Sequence, residues 1–108
     1  TLIGEMIRNL VDNAFKYAPR RGSVLLAVKS APAQIVVEDS GPGIAPQDRE
    51  RVFAPFARVA QLDTVSGAPI AGTGLGLAIV SEVAQAHDGR VSIETSVLGG
   101  ARMVVSFT

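Results

Sequence analysis

Cysteine and tryptophan are missing from the 108-residue chain, and aromatic residues make up only 5% of it. The lack of cysteine excludes disulfide bonds and thiolate metal sites. Neither sign of charge is in excess, since ten Lys and Arg balance ten Asp and Glu, so nucleic acid is not an expected partner. No apolar stretch approaches the roughly 20 residues that a membrane span needs, so no membrane contact is expected from this segment.

Hydrophobic residues nevertheless form 47% of the chain, which is enough for the core of one domain. Some recur at helical spacing and others alternate as in strands, so the chain predicts both kinds of element. This mixture favours an α/β protein, a two-layer sandwich with helices covering one face of one sheet. The predicted elements are helix 2–18, strands 23–30 and 34–39, a short helix 46–54, helix 74–88, and strands 90–96 and 101–107.

A polar stripe runs along the first predicted helix. Glu5, Asn9, Asn13 and Lys16 are spaced by four, four and three residues, which places them on one helix face. Such a stripe can simply face solvent. Alternatively, its amide and carboxylate oxygens suit a hard cation such as Mg²⁺, and Lys16 adds positive charge for phosphates.

The segment VEDSGPGI, residues 37–44, ends a predicted strand in a glycine turn. Asp39 lies on the same strand face as Ile35 and Val37 and so ends a row of core-facing positions. A buried carboxylate needs hydrogen bonds. It can cap the turn, or it can accept a hydrogen bond from a ligand's amino group, with Gly41 and Gly43 letting the backbone approach a flat ligand.

Three glycines alternate in AGTGLGLAIV, residues 71–80, just before the second long helix. Glycines at a helix start expose N–H groups that can bind phosphate. The Walker pattern is absent, and no strand precedes the glycines as the Rossmann pattern requires. The unpatterned segment 57–72 before them is longer than most loops, which is typical of functional or mobile segments.

In this combination and order, the three stretches resemble the ATP-binding catalytic domain of bacterial sensor histidine kinases. That domain has the Bergerat fold, shared with gyrase-type, Hsp90 and mismatch-repair ATPases. EMIRNLVDNAFKYAP resembles the family's N box, DSGPGI its G1 box, FAPFAR its F box and GTGLGLAIV its G2 box. The resemblance covers nearly the whole chain, 1–108. It implies a mixed, mostly antiparallel sheet, with ATP and Mg²⁺ as cofactors.

The resemblance also implies roles for individual residues. Asn13, with Asn9 beside it, would hold the metal. Glu5, Asn9 and Lys16 would be the catalytic candidates, with Glu5 as general base or polarising group and Lys16 on phosphate. The remaining nucleotide-binding candidates are Tyr17, Asp39, Gly41, Gly43, Ile44, Phe56, Arg58, Gly72, Thr73, Gly74, Leu75, Gly76 and Leu77.

The resemblance implies that different residues of this set contact different parts of the nucleotide. Asp39 would accept from the adenine amino group, and Tyr17 would line the pocket. Phe53 and Phe56 would anchor a lid, and Arg58 would reach the γ-phosphate or the partner domain. The glycines from Gly72 to Gly76 would hinge that lid and hold phosphate.

The resemblance finally implies what lies beyond this segment. The phosphoacceptor histidine would belong to an upstream dimerisation domain, so His87, the only histidine, is not expected to be the acceptor. The family's usual first strand would lie before residue 1. The segment would be a cytoplasmic, monomeric domain of a homodimeric parent anchored in the inner membrane, acting on a response regulator. The alternatives are an ATPase or serine kinase of the same superfamily, or a nucleotide-sensing module without transfer.

Overall fold

The computed structural model describes residues 1–30, 32–54 and 76–107. Within them the chain forms two α-helices, two short 3-10 turns and four strands. These are α1 (Leu2–Tyr17), β1 (Val24–Ser30), β2 (Ala33–Asp39), the turns Pro46–Asp48 and Arg51–Phe53, α2 (Gly76–Ala86), β3 (Arg90–Thr95) and β4 (Ala101–Ser106).

Helix α1 carries the spacing that its sequence predicts. Met6, Leu10 and Ala14 are all buried and follow one another every four residues, so one face of the helix packs on the core. The Thr1 hydroxyl accepts from the Gly4 amide at 2.9 Å and caps the first turn. The last helical residue is Tyr17 because the next residue precedes a proline and takes an extended conformation.

The four strands form one sheet in the order β1-β2-β4-β3. Every neighbouring pair is antiparallel, and Val37 of β2 lies between Leu26 of β1 and Met103 of β4. Both helices pack on the face that carries Ile35 and Val37. The predicted two-layer α/β sandwich is therefore confirmed, and the described strands are wholly antiparallel.

The single short helix predicted at 46–54 is wrong in detail. The chain there makes two separate turns with i to i+3 hydrogen bonds, such as Asp48 N to Ala45 O at 2.9 Å and Ala54 N to Arg51 O at 3.1 Å. A stretch this short recovers few α-helical hydrogen bonds for the dihedral angles it must fix, so the tighter 3-10 form is favoured. The break between the turns frees the side chain of Arg49 to reach back along the chain.

None of the helices in the described residues is long and apolar enough to cross a membrane. The predicted loop 57–72 and the first residues of the predicted helix 74–88 lie outside the described part of the chain.

Candidate nucleotide site

One pocket brings together residues from three distant parts of the sequence. It lies where the C-terminal half of α1 meets the end of β2 and the start of β4, and its cavity volume is about 10 Å³. Complete ligand sites are usually about 300–1,000 Å³, so the described residues enclose only a small part of such a site. Its lining residues are Asn13, Tyr17, Asp39, Gly43, Ile44, Ala101 and Met103.

Asp39 is the buried acid of this pocket, with only 4% of its surface exposed. Its Oδ1 accepts from the amide of Gly41 at 2.9 Å and from the amide of Ala101 at 3.2 Å. Burial raises the pKa of the Asp39 carboxyl above its ordinary value, and these two hydrogen bonds partly offset the rise. Both of these donors bond Oδ1.

The turn between β3 and β4 helps to hold Asp39 in place through a backbone hydrogen bond, a role that the sequence did not predict. The Gly100 amide donates to the Asp39 carbonyl at 3.1 Å. A Cβ at Gly100 would overlap Asp39 Oδ1 and lie within 2.6 Å of the Gly41 amide nitrogen, so no larger residue fits there. The double glycine before the last strand was the available signal, but it reads equally well as an ordinary hairpin turn.

Gly41 and Gly43 of the DSGPGI segment are favoured as glycine for different structural reasons. Gly41 is buried, and a Cβ there would collide with the Tyr17 carbonyl, so the loop packs against the end of α1. Gly43 lines the pocket and has φ +73°, in the left-handed region that side chains disfavour. A Cβ at Gly43 would meet nothing closer than 3.5 Å.

We therefore expect Gly43→Ala to lower the free energy of unfolding by about 1 kcal/mol, through backbone strain alone. Gly43→Asn should lose less, since asparagine tolerates the left-handed region. Urea denaturation of both variants measures the difference. Equal losses for alanine and asparagine would show that crowding, and not φ, sets the requirement.

Asn9 lies at a second position of the stripe, against the start of α2. Its Nδ2 donates to the Glu5 carbonyl at 2.9 Å, which leaves the amide oxygen to point away from its own helix. A Cβ built on Gly76 would be 3.4 Å from that oxygen. The stripe therefore runs from the first residues of α2 at Asn9 to the Asp39 pocket at Asn13, while Glu5 is exposed one turn earlier.

Lys16 and Tyr17 close the C-terminal end of α1. Tyr17 lines the pocket, and the Lys16 ammonium lies 5.5 Å from the centre of its ring, a cation–π distance. Lys16 is exposed and is not among the lining residues. Its charge is thus close to the pocket without forming its wall.

The other predicted site residues are not brought into the pocket by the described structure. Leu77 and Phe53 pack against the hydrophobic core. His87 is exposed, with Nδ1 2.8 Å from the Val83 carbonyl at the end of α2. Phe56, Arg58, Gly72, Thr73, Gly74 and Leu75 lie outside the described residues.

A hard cation would find oxygen donors on the polar stripe and little else. Among residues 1–30, 32–54 and 76–107, no three His, Cys, Asp or Glu side chains are grouped so as to hold a metal. Asn9 and Asn13 instead offer amide oxygens, which suit Mg²⁺ only when the substrate's phosphates and water supply the remaining ligands. The donor set therefore fits a metal that arrives with a phosphate-bearing ligand.

In this two-layer sandwich, a buried acid and a helical asparagine line one pocket, an arrangement suited to a nucleotide's base and phosphates. The family model described as "Histidine kinase-, DNA gyrase B-, and HSP90-like ATPase" matches residues 1–108, and the chain belongs to this family.

The chain is similar to part of several known sensor histidine kinases. The sensor protein RstB of Escherichia coli (strain K12) is 42% identical over 106 residues, covering 98% of this chain and 24% of RstB. The structure of the mycobacterial sensor histidine kinase MprB is 33% identical with a TM-score of 0.78, covering 98% of this chain and 71% of that one. Full-length ShkA in complex with AMPPNP is 31% identical with a TM-score of 0.76, covering 98% of this chain and 21% of ShkA. The chain thus spans about a quarter of the length of RstB.

Proposed function

We propose that this chain binds ATP with Mg²⁺ and presents the γ-phosphoryl group to a histidine on a dimerisation domain of its parent protein, in two-component signalling. The observation that carries the proposal is that Asp39 and Asn13 line one pocket. A buried carboxylate can select an amino group on a base. An asparagine beside it can contribute to a metal and phosphate site one helical turn along.

In this proposal, different residues contact the base, the metal and the phosphates of the nucleotide. Asp39 Oδ2 accepts from the adenine amino group, and Tyr17 and Ile44 form apolar walls of the base pocket. Asn13 and Asn9 would hold Mg²⁺, which when bound supplies positive charge to the phosphate oxygens. Lys16 adds a second positive charge near the end of α1, and the first amides of α2 face the phosphates.

The transfer step needs alignment more than covalent help from this chain. An imidazole nitrogen of the partner histidine attacks the γ-phosphorus, the bond from that phosphorus to the bridging oxygen breaks, and ADP leaves with the electron pair. Glu5 would polarise the incoming imidazole, a role supported by its position on the same helix stripe as Asn9 and Asn13. The acceptor histidine, the response regulator and the homodimeric, membrane-anchored parent belong to the proposal.

The proposal predicts that ATP binds more tightly than GTP, and that this binding depends on Mg²⁺. Guanine presents a carbonyl where adenine has an amino group, so ionised Asp39 would face an oxygen and leave a polar group without a partner. Titration calorimetry with ATP and GTP, each with Mg²⁺ and with EDTA, measures both preferences. Equal affinities for the two nucleotides would contradict the role of Asp39.

Phosphate transfer separates the kinase proposal from its alternatives. Labelled ATP should phosphorylate an added dimerisation domain from the same parent, and replacement of that domain's acceptor histidine should abolish the label. ATP hydrolysis without labelling would favour an ATPase, labelling of a serine substrate would favour a serine kinase, and nucleotide binding with neither would favour a sensing module.

A further inference from the structure

Arg49 links the two sides of the nucleotide pocket from outside it. The residue follows the turn Pro46–Asp48, and its side chain folds back so that Nε donates to the Ile44 carbonyl at 3.0 Å. The other end of the guanidinium reaches across the fold, where Nη2 donates to the Thr95 hydroxyl at 3.0 Å. The Arg49 side chain thus connects the DSGPGI loop to the end of β3.

Each of these two contacts leads to a residue that lines the pocket. Ile44 lines the pocket on the loop side and is 8% exposed. Thr95 pairs with Ala101 in the sheet, and Ala101 lines the pocket on the hairpin side while its amide donates to Asp39. Arg49 therefore connects the segments that carry Ile44 and Ala101.

Asp39 also links these walls, because its Oδ1 joins the amides of Gly41 and Ala101. That carboxylate is also the group proposed to read the base. We propose that Arg49 is a positioning residue for the base subsite: it holds the walls in place so that Asp39 can meet an adenine without also having to hold the pocket together. The inference rests on the proposed function.

Loss of this link should weaken ATP binding because the pocket would no longer be preorganised. A pocket whose walls must be ordered on binding has a lower affinity, although the contacts to the ligand are the same. We expect Arg49→Ala to raise the Kd for ATP about fivefold, and the Kd for GTP by less than about twofold, because only the base-reading contact depends on wall separation.

The chain offers a matched control in Arg51. It has the same charge and lies two residues away, but its guanidinium pairs with Asp48 at 2.6 Å and its side chain is 62% exposed. Arg51→Ala should leave both nucleotide affinities unchanged. Arg49→Lys should fall between wild type and Arg49→Ala, because an ammonium can keep one of the two hydrogen bonds but cannot span both.

Competitive nucleotide titrations of the 108-residue chain and these variants test the inference. A smaller ratio of the GTP Kd to the ATP Kd in Arg49→Ala than in wild type would support it. The ratio should fall less in Thr95→Val, and the variant with both substitutions should give the same ratio as Arg49→Ala alone. Equal weakening of ATP and GTP would overturn it, since a smaller folded fraction scales both alike. So would equal effects of Arg49→Ala and Arg51→Ala. A wild-type chain that binds neither nucleotide would remove the proposed function, and this inference with it.

Discussion

Asp39→Asn is expected to weaken ATP binding at least about tenfold, or about 1.4 kcal/mol, while the chain keeps its fold. The carbonyl oxygen of asparagine can still accept from the amides of Gly41 and Ala101, which now bond Oδ1. The new NH₂ group replaces the oxygen that would accept from adenine, so two donors would face each other. Calorimetric titration with ATP and Mg²⁺ measures the loss.

Glu38→Gln is the matched control for this variant. Glu38 is the neighbouring carboxylate, 9% exposed, and it faces the other side of the sheet, where Ser96 Oγ donates to it at 2.9 Å. Its substitution should leave ATP affinity unchanged. Unaltered ATP titration of Asp39→Asn would disprove the assignment of Asp39 as the base-reading group.

Asp39→Asn should not destabilise the nucleotide-free domain at neutral pH. Burial raises the pKa of the Asp39 carboxyl in the folded state above the unfolded value of about 3.9. The folded state then binds the proton more tightly, so stability falls as pH rises through the interval between the two pKa values and stays lower above it. Asparagine never ionises, so the variant should be at least as stable as wild type at about pH 7, and this advantage should shrink as pH falls towards the unfolded pKa.

Chemical denaturation of both chains at a series of pH values measures that difference. A stability deficit for Asp39→Asn that grows with pH would show that the ionised carboxylate stabilises the fold, opposite to the direction that its burial implies. Together the two expectations describe a residue whose ionised form serves binding at the expense of folding, as is common at functional sites.

The sequence predicts those parts of the fold that depend on local spacing. The period of Met6, Leu10 and Ala14 locates the buried face of α1, and the alternation of Ile35, Val37 and Asp39 places the acid at the end of a core-facing row. These inferences hold because helix and strand geometry fix which side chains share a face. The polar stripe of α1 and Asp39 could thus be selected as candidate site residues from the sequence, although the sequence gives no distance between them.

Contacts between distant segments could not be predicted in this way. Gly100 and Arg49 act through a hairpin and a loop whose meeting depends on strand order, and neither residue stands in a periodic pattern. On α2, Ile79 is 39% exposed whereas Ala78 is 8% exposed, so the size and hydrophobicity of a side chain do not by themselves identify the buried face of that helix.

Asn13→Ala is expected to abolish Mg²⁺-dependent ATP binding. Asn13 lines the Asp39 pocket and follows Asn9 by one helical turn, so it is the amide best placed to join the base end of the nucleotide to its phosphates. The described residues contain no group of three His, Cys, Asp or Glu side chains that could hold the metal instead, so no such group would replace Asn13. Titration with ATP should then give the same weak signal with Mg²⁺ as with EDTA.

The helix itself should tolerate this change, which makes the result interpretable. Alanine has a higher helix propensity than asparagine by about 0.5 kcal/mol, so α1 should not be weakened. Asp12→Ala is the matched control, because Asp12 is an exposed polar residue at the adjacent position of α1 and points away from the pocket-lining face. If Asn13→Ala retained the Mg²⁺ dependence of the Asp12→Ala chain, the metal would have to be held elsewhere. The pocket around Asp39 would then be a base site without the adjoining phosphate site that a kinase requires.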